Sequence, residues 1–276
     1  DRGPTVQVRD AQGRIQLYGD SEAGTVYDGP LTVLVNRLSA SASEIFAGAI
    51  QDYGRGIVVG ASTFGKGTVQ TLNELSHGQI KLTRAKFYRI SGDSTQNRGV
   101  EPDITFPSLI DPERIGESSL DNALAWDTVQ NAQYRRYGEP ERVLPTLITR
   151  HEERAKENPN FRYLERQSTL ARQLREQHTS VSLNREQRQR ELEAQEAEQL
   201  SLENQRRRAL GLPELEEWMD ARSDGTTPTE DPEVESEGET EGNEEEVPVD
   251  RAHVLEAAEV LLDYVHLQNQ QRMAKR

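Results

Sequence analysis

The chain has 276 residues, a net charge of −15 and no cysteine. Its length allows one or two domains, and the missing thiols exclude a cysteine nucleophile, a disulfide framework and a cysteine-based zinc site. The acidic residues concentrate between Asp224 and Glu246, where no basic residue occurs. The rest of the chain is mildly acidic, so no basic face is expected that could neutralise phosphates, and a nucleic-acid partner is disfavoured. No apolar run reaches the roughly 18 residues that would predict a transmembrane segment.

Residues 1–107 contain most of the glycines and β-branched residues. Apolar and polar residues alternate over 5–10 and over 14–20, on either side of Gly13, which predicts a β-hairpin. The same alternation predicts a longer strand over 80–90.

A parallel pairing is predicted between two short apolar runs, 31–36 and 56–60. Such runs are typical of strands that are buried on both faces. Residues 41–54 lie between them and have helical spacing. The order strand, helix, strand predicts a βαβ unit and therefore a parallel sheet.

Residues 108–222 have a different composition, in which Gln, Glu and Arg dominate. Helices are predicted over 121–137, 141–157 and 184–210, with Asn184 as the N-cap of the last. That last helix is polar all round, which indicates a solvated or loosely docked helix. We therefore expect a mostly α-helical C-terminal region.

The end of the chain is predicted to contain a linker and a helix. Residues 223–249 have almost no apolar side chain and cannot bury enough surface to fold, so a disordered acidic linker is expected. Residues 250–276 are predicted to form a terminal amphipathic helix with Asp250 as N-cap. Its docking face is predicted from helical spacing to comprise Val254, Leu255, Ala258, Leu261, Leu262 and Val265.

Three serines, Ser39, Ser41 and Ser43, stand between the strand predicted over 31–36 and the start of the following helix. At such a position a rigid strand end can present a nucleophile while helix N–H groups face a developing oxyanion. The position is equally typical of helix-capping serines. Local pattern alone leaves both roles open.

A serine nucleophile needs a base. Of the five histidines, only His77 lies near the serines in the chain, in a predicted hairpin turn. A lysine can replace histidine when burial lowers its pKa and leaves it uncharged. Lys66 stands between two glycines after the second predicted buried strand. It could also be an exposed turn lysine, but a phosphate-binding loop is disfavoured because that pattern fails at Gly67.

Three motifs, taken together and in order, carry a more specific signal than any single residue. The run S-A-S-A-S-E (39–44), followed by T-F-G-K-G-T-V-Q (63–70) and R-G-V-E-P-D-I (98–104), resembles the catalytic core of the C-terminal-processing, or tail-specific, serine peptidases. The resemblance implies an α/β fold in which residues 1–107 form the C-terminal half of a crotonase/ClpP-like protease core. A mostly α-helical C-terminal region, 108–222, would follow it.

The resemblance also assigns roles to residues. The middle serine, Ser41, would be the nucleophile, and Lys66, 25 positions later, its general base. Gln70 would orient Lys66 by a hydrogen bond, and the backbone N–H of Ala42 would donate to the oxyanion. Asp52 would give structural support around the site.

At the level of the whole protein, the resemblance implies a serine endopeptidase that recognises proteins by their C-terminal tails, without a metal or other cofactor. It implies a periplasmic location, protein or peptide substrates and, in some relatives, an adaptor lipoprotein. A PDZ domain and a glycine-rich oxyanion turn are expected upstream of Asp1, so this chain alone should be inactive. Two rivals remain, a non-catalytic scaffold on the same fold and an acyl-CoA-type enzyme, which would need no Ser–Lys pair.

Overall fold

The computed structural model describes residues 2–177, 180–218 and 249–274. The strands are β1 Gly3–Asp10, β2 Ile15–Asp20, β3 Thr32–Val35, β4 Ile57–Gly60, β5 Thr68–Glu74, β6 Gln79–Tyr88 and β7 Ile104–Thr105. The helices are α1 Ala42–Asp52, α2 Leu144–Glu157, α3 Pro159–Gln177, α4 Arg185–Leu210 and α5 Val249–Ala274. The mixed α/β composition predicted from the sequence is confirmed.

Contacts divide the chain into two compact units. The first holds the residues up to Phe106, Ile110–Ile148 and α5 from Ala257 onward, and the second holds Pro107–Leu109 and Thr149–Glu256. Residues 110–148 therefore pack with the glycine-rich part of the chain. All seven strands and α1 belong to the first unit.

An antiparallel sheet has the strand order β2-β1-β6-β5. The predicted hairpin is confirmed as β1 and β2, and the predicted strand over 80–90 as β6. The register between β5 and β6 shifts between Val69 and Gln70, so that Arg84 of β6 is an extra residue without a partner on β5. Within the described residues β5 is an edge strand, paired on one side only.

The predicted βαβ unit is confirmed, because β3 and β4 pair in parallel and α1 connects them. Strand β4 is buried as predicted, and β7 pairs with its other side. The prediction that β3 is buried on both faces is wrong, since Leu34 is 40% exposed. The reason is that β3 lies at the edge of this sheet, whose order is β3-β4-β7. Val35, Ala47, Val58 and Val100 form a core cluster beneath it.

The prediction of a helix over 121–137 is wrong. That segment has irregular backbone, which side-chain hydrogen bonds hold in place. Trp126 Nε1 donates to the carbonyl of Ser94 at 2.9 Å, and Lys86 Nζ approaches Asp127 Oδ1 at 2.5 Å. These tertiary contacts override the modest helix propensity of the segment.

The predicted helices over 141–157 and 184–210 are confirmed as α2 and α4. Asn184 is the N-cap of α4, and its side chain accepts from Gln187 N at 3.1 Å. Helix α3 was missed, although its start carries recognisable signals. Pro159 is its first residue, and the side chain of Asn158 accepts from the backbone N–H of Asn160 at 2.9 Å.

The C-terminal end of α4 is more deeply buried than its polar sequence predicts. Glu203 and Arg206 are buried and approach each other to 2.6 Å. Arg206 also donates to the side chain of Asn160 at 2.9 Å. Charged residues can be buried in this way when their partners come from the same helix and its neighbour.

The terminal helix is confirmed as α5, but Asp250 lies inside it and is not its N-cap, and the predicted docking face is also wrong. Val254, Leu255 and Leu262 are exposed by 56%, 49% and 52%. The buried positions follow a different stripe of the helix, namely Ala252, Glu256, Ala257, Val260 and Tyr264. Glu256 can be buried because its carboxylate accepts from Arg154 at 2.8 Å and lies 2.9 Å from His151 Nδ1. Hydrophobicity alone cannot reveal such a pairing.

None of the helices in the described ranges combines the length and apolar character needed to cross a membrane. Residues 223–248 of the predicted acidic linker lie outside the described residues.

Candidate active site

Ser41 occupies a strained position at the start of α1. It is the N-cap of the helix, half-buried, with φ 56° and ψ −108°. An N-cap residue normally has extended backbone, and a positive φ in a residue other than glycine costs about 1–3 kcal/mol. Such strain persists only where the surrounding structure fixes it, and it is concentrated at functional sites.

The other two serines have different surroundings. Ser39 Oγ accepts from the backbone N–H of Asn36 at 3.2 Å and so belongs to the turn after β3. Ser43 is exposed in the first turn of α1. Of the three, Ser41 alone has a strained backbone.

Glu44 joins the Ser41 backbone to the loop that carries Lys66. Its carboxylate is fully buried and accepts four hydrogen bonds. One oxygen accepts from Ser41 N at 2.7 Å and from Lys66 N at 3.0 Å. The other accepts from Thr63 Oγ1 at 2.6 Å and from Gly65 N at 2.7 Å. Burial raises the pKa of Glu44, while the four hydrogen bonds act in the opposite direction.

We call residues 61–67, between β4 and β5, the lysine loop. Its backbone is held from several sides although it has no regular structure. Phe64 N donates to Ser39 O at 3.0 Å, and Gly65 O accepts from Asn97 N at 2.8 Å. Lys66 itself is half-buried. The loop is therefore ordered by hydrogen bonds to distant parts of the chain.

The glycines on either side of Lys66 are required by close packing. Gly65 has φ 90°, and a Cβ there would lie 2.8 Å from the carbonyl carbon of Asn97. A Cβ on Gly67 would lie 2.7 Å from the backbone nitrogen of Gln96. Both contacts are with backbone atoms, which cannot yield as a flexible side chain can.

Arg37, at the end of β3, adds a buried positive charge near these groups. Its guanidinium donates to Thr63 O at 2.5 Å, to Ile115 O at 2.6 Å and to Pro112 O at 3.1 Å. Burial lowers the pKa of Arg37, and the charge of Glu44 opposes that effect. Arg37 thus ties the lysine loop to the segment 112–115.

Ala42 and Gln70 are both exposed. Ala42 is the first residue of α1, and its N–H has no acceptor in the described part of the chain, as is common in a first helical turn. Gln70 lies on β5 opposite Thr83, next to the register shift. Its side chain forms no hydrogen bond with the described residues, so its role as the partner of Lys66 stays a prediction.

Asp52 is the last residue of α1, at the opposite end from Ser41. It is 7% exposed and forms a two-pronged ion pair with Arg89, with N–O distances of 2.5 and 3.1 Å. The same guanidinium donates to Gln51 Oε1 at 2.9 Å. The pair fixes the end of α1 to the residue that follows β6.

Asp52→Asn is expected to reduce the free energy of opening of α1 by up to about 3 kcal/mol, because it leaves the half-buried guanidinium of Arg89 without its counter-charge. Hydrogen exchange of the α1 amides measures this quantity. The double variant Asp52→Asn/Arg89→Gln should be less destabilised than the sum of the single variants. Strict additivity would contradict the pairing.

Comparison with known proteins agrees with the motifs. Residues 110–266 match the family model described as the C-terminal domain of tail specific protease, and residues 1–106 match that of peptidase family S41. The chain therefore belongs to the tail-specific protease family.

Individual relatives show how much of the chain is shared. The chain is 40% identical over 238 residues to the tail-specific protease of Haemophilus influenzae. The aligned region covers 82% of this chain and 34% of that protein. It is 43% identical over 116 residues to the chloroplastic C-terminal processing peptidase of Tetradesmus obliquus, covering 41% and 24% respectively. The solved photosystem II D1 C-terminal processing protease is 42% identical over 41% of this chain and 28% of that one, with a TM-score of 0.35. The chain thus spans only 34% of the length of the Haemophilus relative.

Glu44 and Arg37 are site residues that the sequence reasoning missed. For Glu44 a signal was present, because Ser41 and Glu44 have the spacing of a capping box, in which the glutamate reaches back to the N-cap N–H. For Arg37 no local signal exists, since its acceptors lie on segments far away in the chain.

Proposed function

We propose that this protein is a serine endopeptidase in which Ser41 is the nucleophile and Lys66 the general base. One observation carries the proposal: the strained Ser41 and the Lys66 backbone donate to the same buried oxygen of Glu44. A capping serine needs neither strain nor a link to a distant lysine. Ser–Lys pairs are among the known variants of the serine-protease arrangement.

In the proposed reaction, Lys66 Nζ takes the proton from Ser41 Oγ as the oxygen attacks a peptide carbonyl. The tetrahedral intermediate collapses to an acyl-enzyme, and the Lys66 ammonium protonates the departing amine. Lys66 then removes a proton from water as the water oxygen attacks the ester, and returns that proton to Ser41 Oγ as the acid product leaves. Gln70 would orient the amine from β5.

The backbone N–H of Ala42 is the proposed donor to the oxyanion. It is available because it has no acceptor among the described residues. A second donor, from a glycine-rich turn outside this chain, is expected from the family resemblance. Loss of one donor typically costs about 10²–10³-fold in rate.

The free edge of β5 is the proposed docking line for an extended substrate. β5 follows the lysine loop directly, and its outer side is unpaired in the described part of the chain. Extended peptides commonly add to such edges through backbone hydrogen bonds. In this proposal residues 1–107 are half of a crotonase/ClpP-like core.

The proposed substrates are proteins recognised by their C-terminal tails, through a PDZ domain outside this chain. A periplasmic location is proposed, and an adaptor lipoprotein is a proposed partner. These proposals rest on family membership, since the chain spans only part of its relatives.

A fluorophosphonate probe tests the nucleophile directly. In the intact protein as it is synthesised, mass spectrometry should find the probe on Ser41. Ser43→Ala should be labelled like the wild type, and Ser41→Ala should not be labelled. Absence of labelling in the wild type, or labelling of Ser41→Ala at the wild-type rate, would favour the non-catalytic scaffold.

A further inference from the structure

Two buried polar residues, Gln96 and Glu117, form hydrogen bonds with the lysine loop on both sides of Lys66. Gln96 is 0% exposed and Glu117 is 8% exposed. Gln96 Oε1 accepts from Gly67 N at 2.9 Å, and Gln96 Nε2 donates to Glu117 Oε1 at 3.1 Å. The backbone N–H of Glu117 donates to Phe64 O at 3.0 Å. Residues before and after Lys66 are therefore both fixed through Glu117.

Glu117 also determines which way the Gln96 carboxamide points. An ionised carboxylate can only accept, and the Gly67 N–H can only donate. A carboxamide placed between them satisfies both groups in one orientation, with its NH₂ toward Glu117 and its oxygen toward Gly67. Without Glu117 the carboxamide could rotate and present its NH₂ to another donor.

The segment that contains Glu117 is itself tied down. Arg37 donates to Ile115 O at 2.6 Å and to Thr63 O at 2.5 Å, so one guanidinium joins this segment to the lysine loop. Gly116 suits that packing, because its φ is 145° and a Cβ there would lie 2.0 Å from Arg37 Nη2, so a larger residue would be strained and would displace the guanidinium. The segment thus has a fixed position from which Glu117 can act.

We propose that Glu117, acting through Gln96, is a positioning residue for Lys66. The inference rests on the proposed function, because it assumes that Lys66 is the base. Glu117 lies outside residues 1–106, which match the peptidase model, and inside residues 110–266, which match the C-terminal domain model. The position of Lys66 therefore depends on a segment that matches the C-terminal domain model but packs within the first unit.

The first test is kinetic and uses the intact protein. Glu117→Ala should lower kcat about 10²-fold with KM within about twofold, since small displacements of a catalytic group cost about this much. The rate at which a fluorophosphonate labels Ser41 should fall in parallel, because it also requires Lys66. Glu117→Gln keeps an acceptor and should recover most of the lost rate. Glu113→Ala, an exposed neighbour on the same segment, should behave like the wild type.

A reciprocal exchange keeps the test decisive even if Glu117→Ala does not fold. Gln96→Glu places two carboxylates in contact and should lose about 10²-fold in kcat. Gln96→Glu/Glu117→Gln lets the introduced amide donate to the introduced carboxylate, which still accepts from Gly67 N. It should recover to within about tenfold of the wild type. A double variant as slow as Gln96→Glu would overturn the positioning role.

Failure of the inference and failure of the proposed function give different results. If Ser41→Ala hydrolyses peptides like the wild type, the proposed function is wrong. If Ser41→Ala is inactive while Glu117→Ala keeps the wild-type kcat and labelling rate, only the positioning role is wrong. A merely structural role would lower the unfolding temperature and leave the labelling rate of folded molecules unchanged.

Discussion

Lys66→Arg is expected to reduce kcat for peptide hydrolysis by at least about 10⁴-fold, comparable to losses on removing members of other serine-protease dyads and triads. The physical reason is that a guanidinium remains protonated at any accessible pH and cannot take the Ser41 proton. Steady-state cleavage of a peptide by the intact protein measures the effect.

The control for Lys66→Arg is Lys81→Arg, which changes an exposed lysine on β6 in the same way and should keep wild-type activity. Circular dichroism and an unfolding temperature close to that of the wild type would show that the loss is chemical. A Lys66→Arg protein that still turned over at the wild-type rate would exclude Lys66 as the base.

The second large effect is expected at Glu44. Glu44→Ala would leave four donors without an acceptor, two of them in buried and two in part-buried hydrogen bonds, and each buried unsatisfied group costs about 1–3 kcal/mol. We expect a loss of stability of at least about 3 kcal/mol, together with a loss of activity of at least about 10²-fold. Urea unfolding and peptide cleavage by the intact protein measure the two quantities.

Glu44→Gln separates the hydrogen bonds from the volume of the side chain. The amide has the same size, but its NH₂ group would face two donors that the carboxylate oxygen now accepts from. Its stability should lie between those of the wild type and Glu44→Ala. If Glu44→Gln matched the wild type in both stability and activity, the shared oxygen would not hold Ser41 and Lys66 in place.

The local parts of this fold could be read from the sequence. Apolar runs and helical spacing identified β3, α1 and β4, because burial and periodicity are properties of neighbouring residues. The glycines on either side of Lys66 indicated a tight loop, because glycine allows the backbone to pack closely. The family resemblance then assigned the nucleophile to Ser41 among three nearby serines, and that role stays a prediction.

The parts that failed depend on partners far away in the chain. From the sequence, Glu256 is expected to face solvent. In the structure its carboxylate is buried against His151 and Arg154, which is why the wrong face of α5 was predicted. Glu44 reads as a polar position on a helix surface, yet it is among the most buried side chains. The segment 121–137 has helical composition but is held by contacts with β6.

The hydrogen-bond partners of the lysine loop are spread along the chain: Val35, Arg37, Ser39, Glu44, Phe87, Gln96, Asn97, Val100 and Glu117. A loop assembled from such widely separated positions gains these bonds only after several long chain closures, each of which costs entropy first. The proposed hydrolytic activity should therefore be acquired late during folding. A nascent or partly unfolded molecule would be harmless to its neighbours until almost all of this architecture is complete.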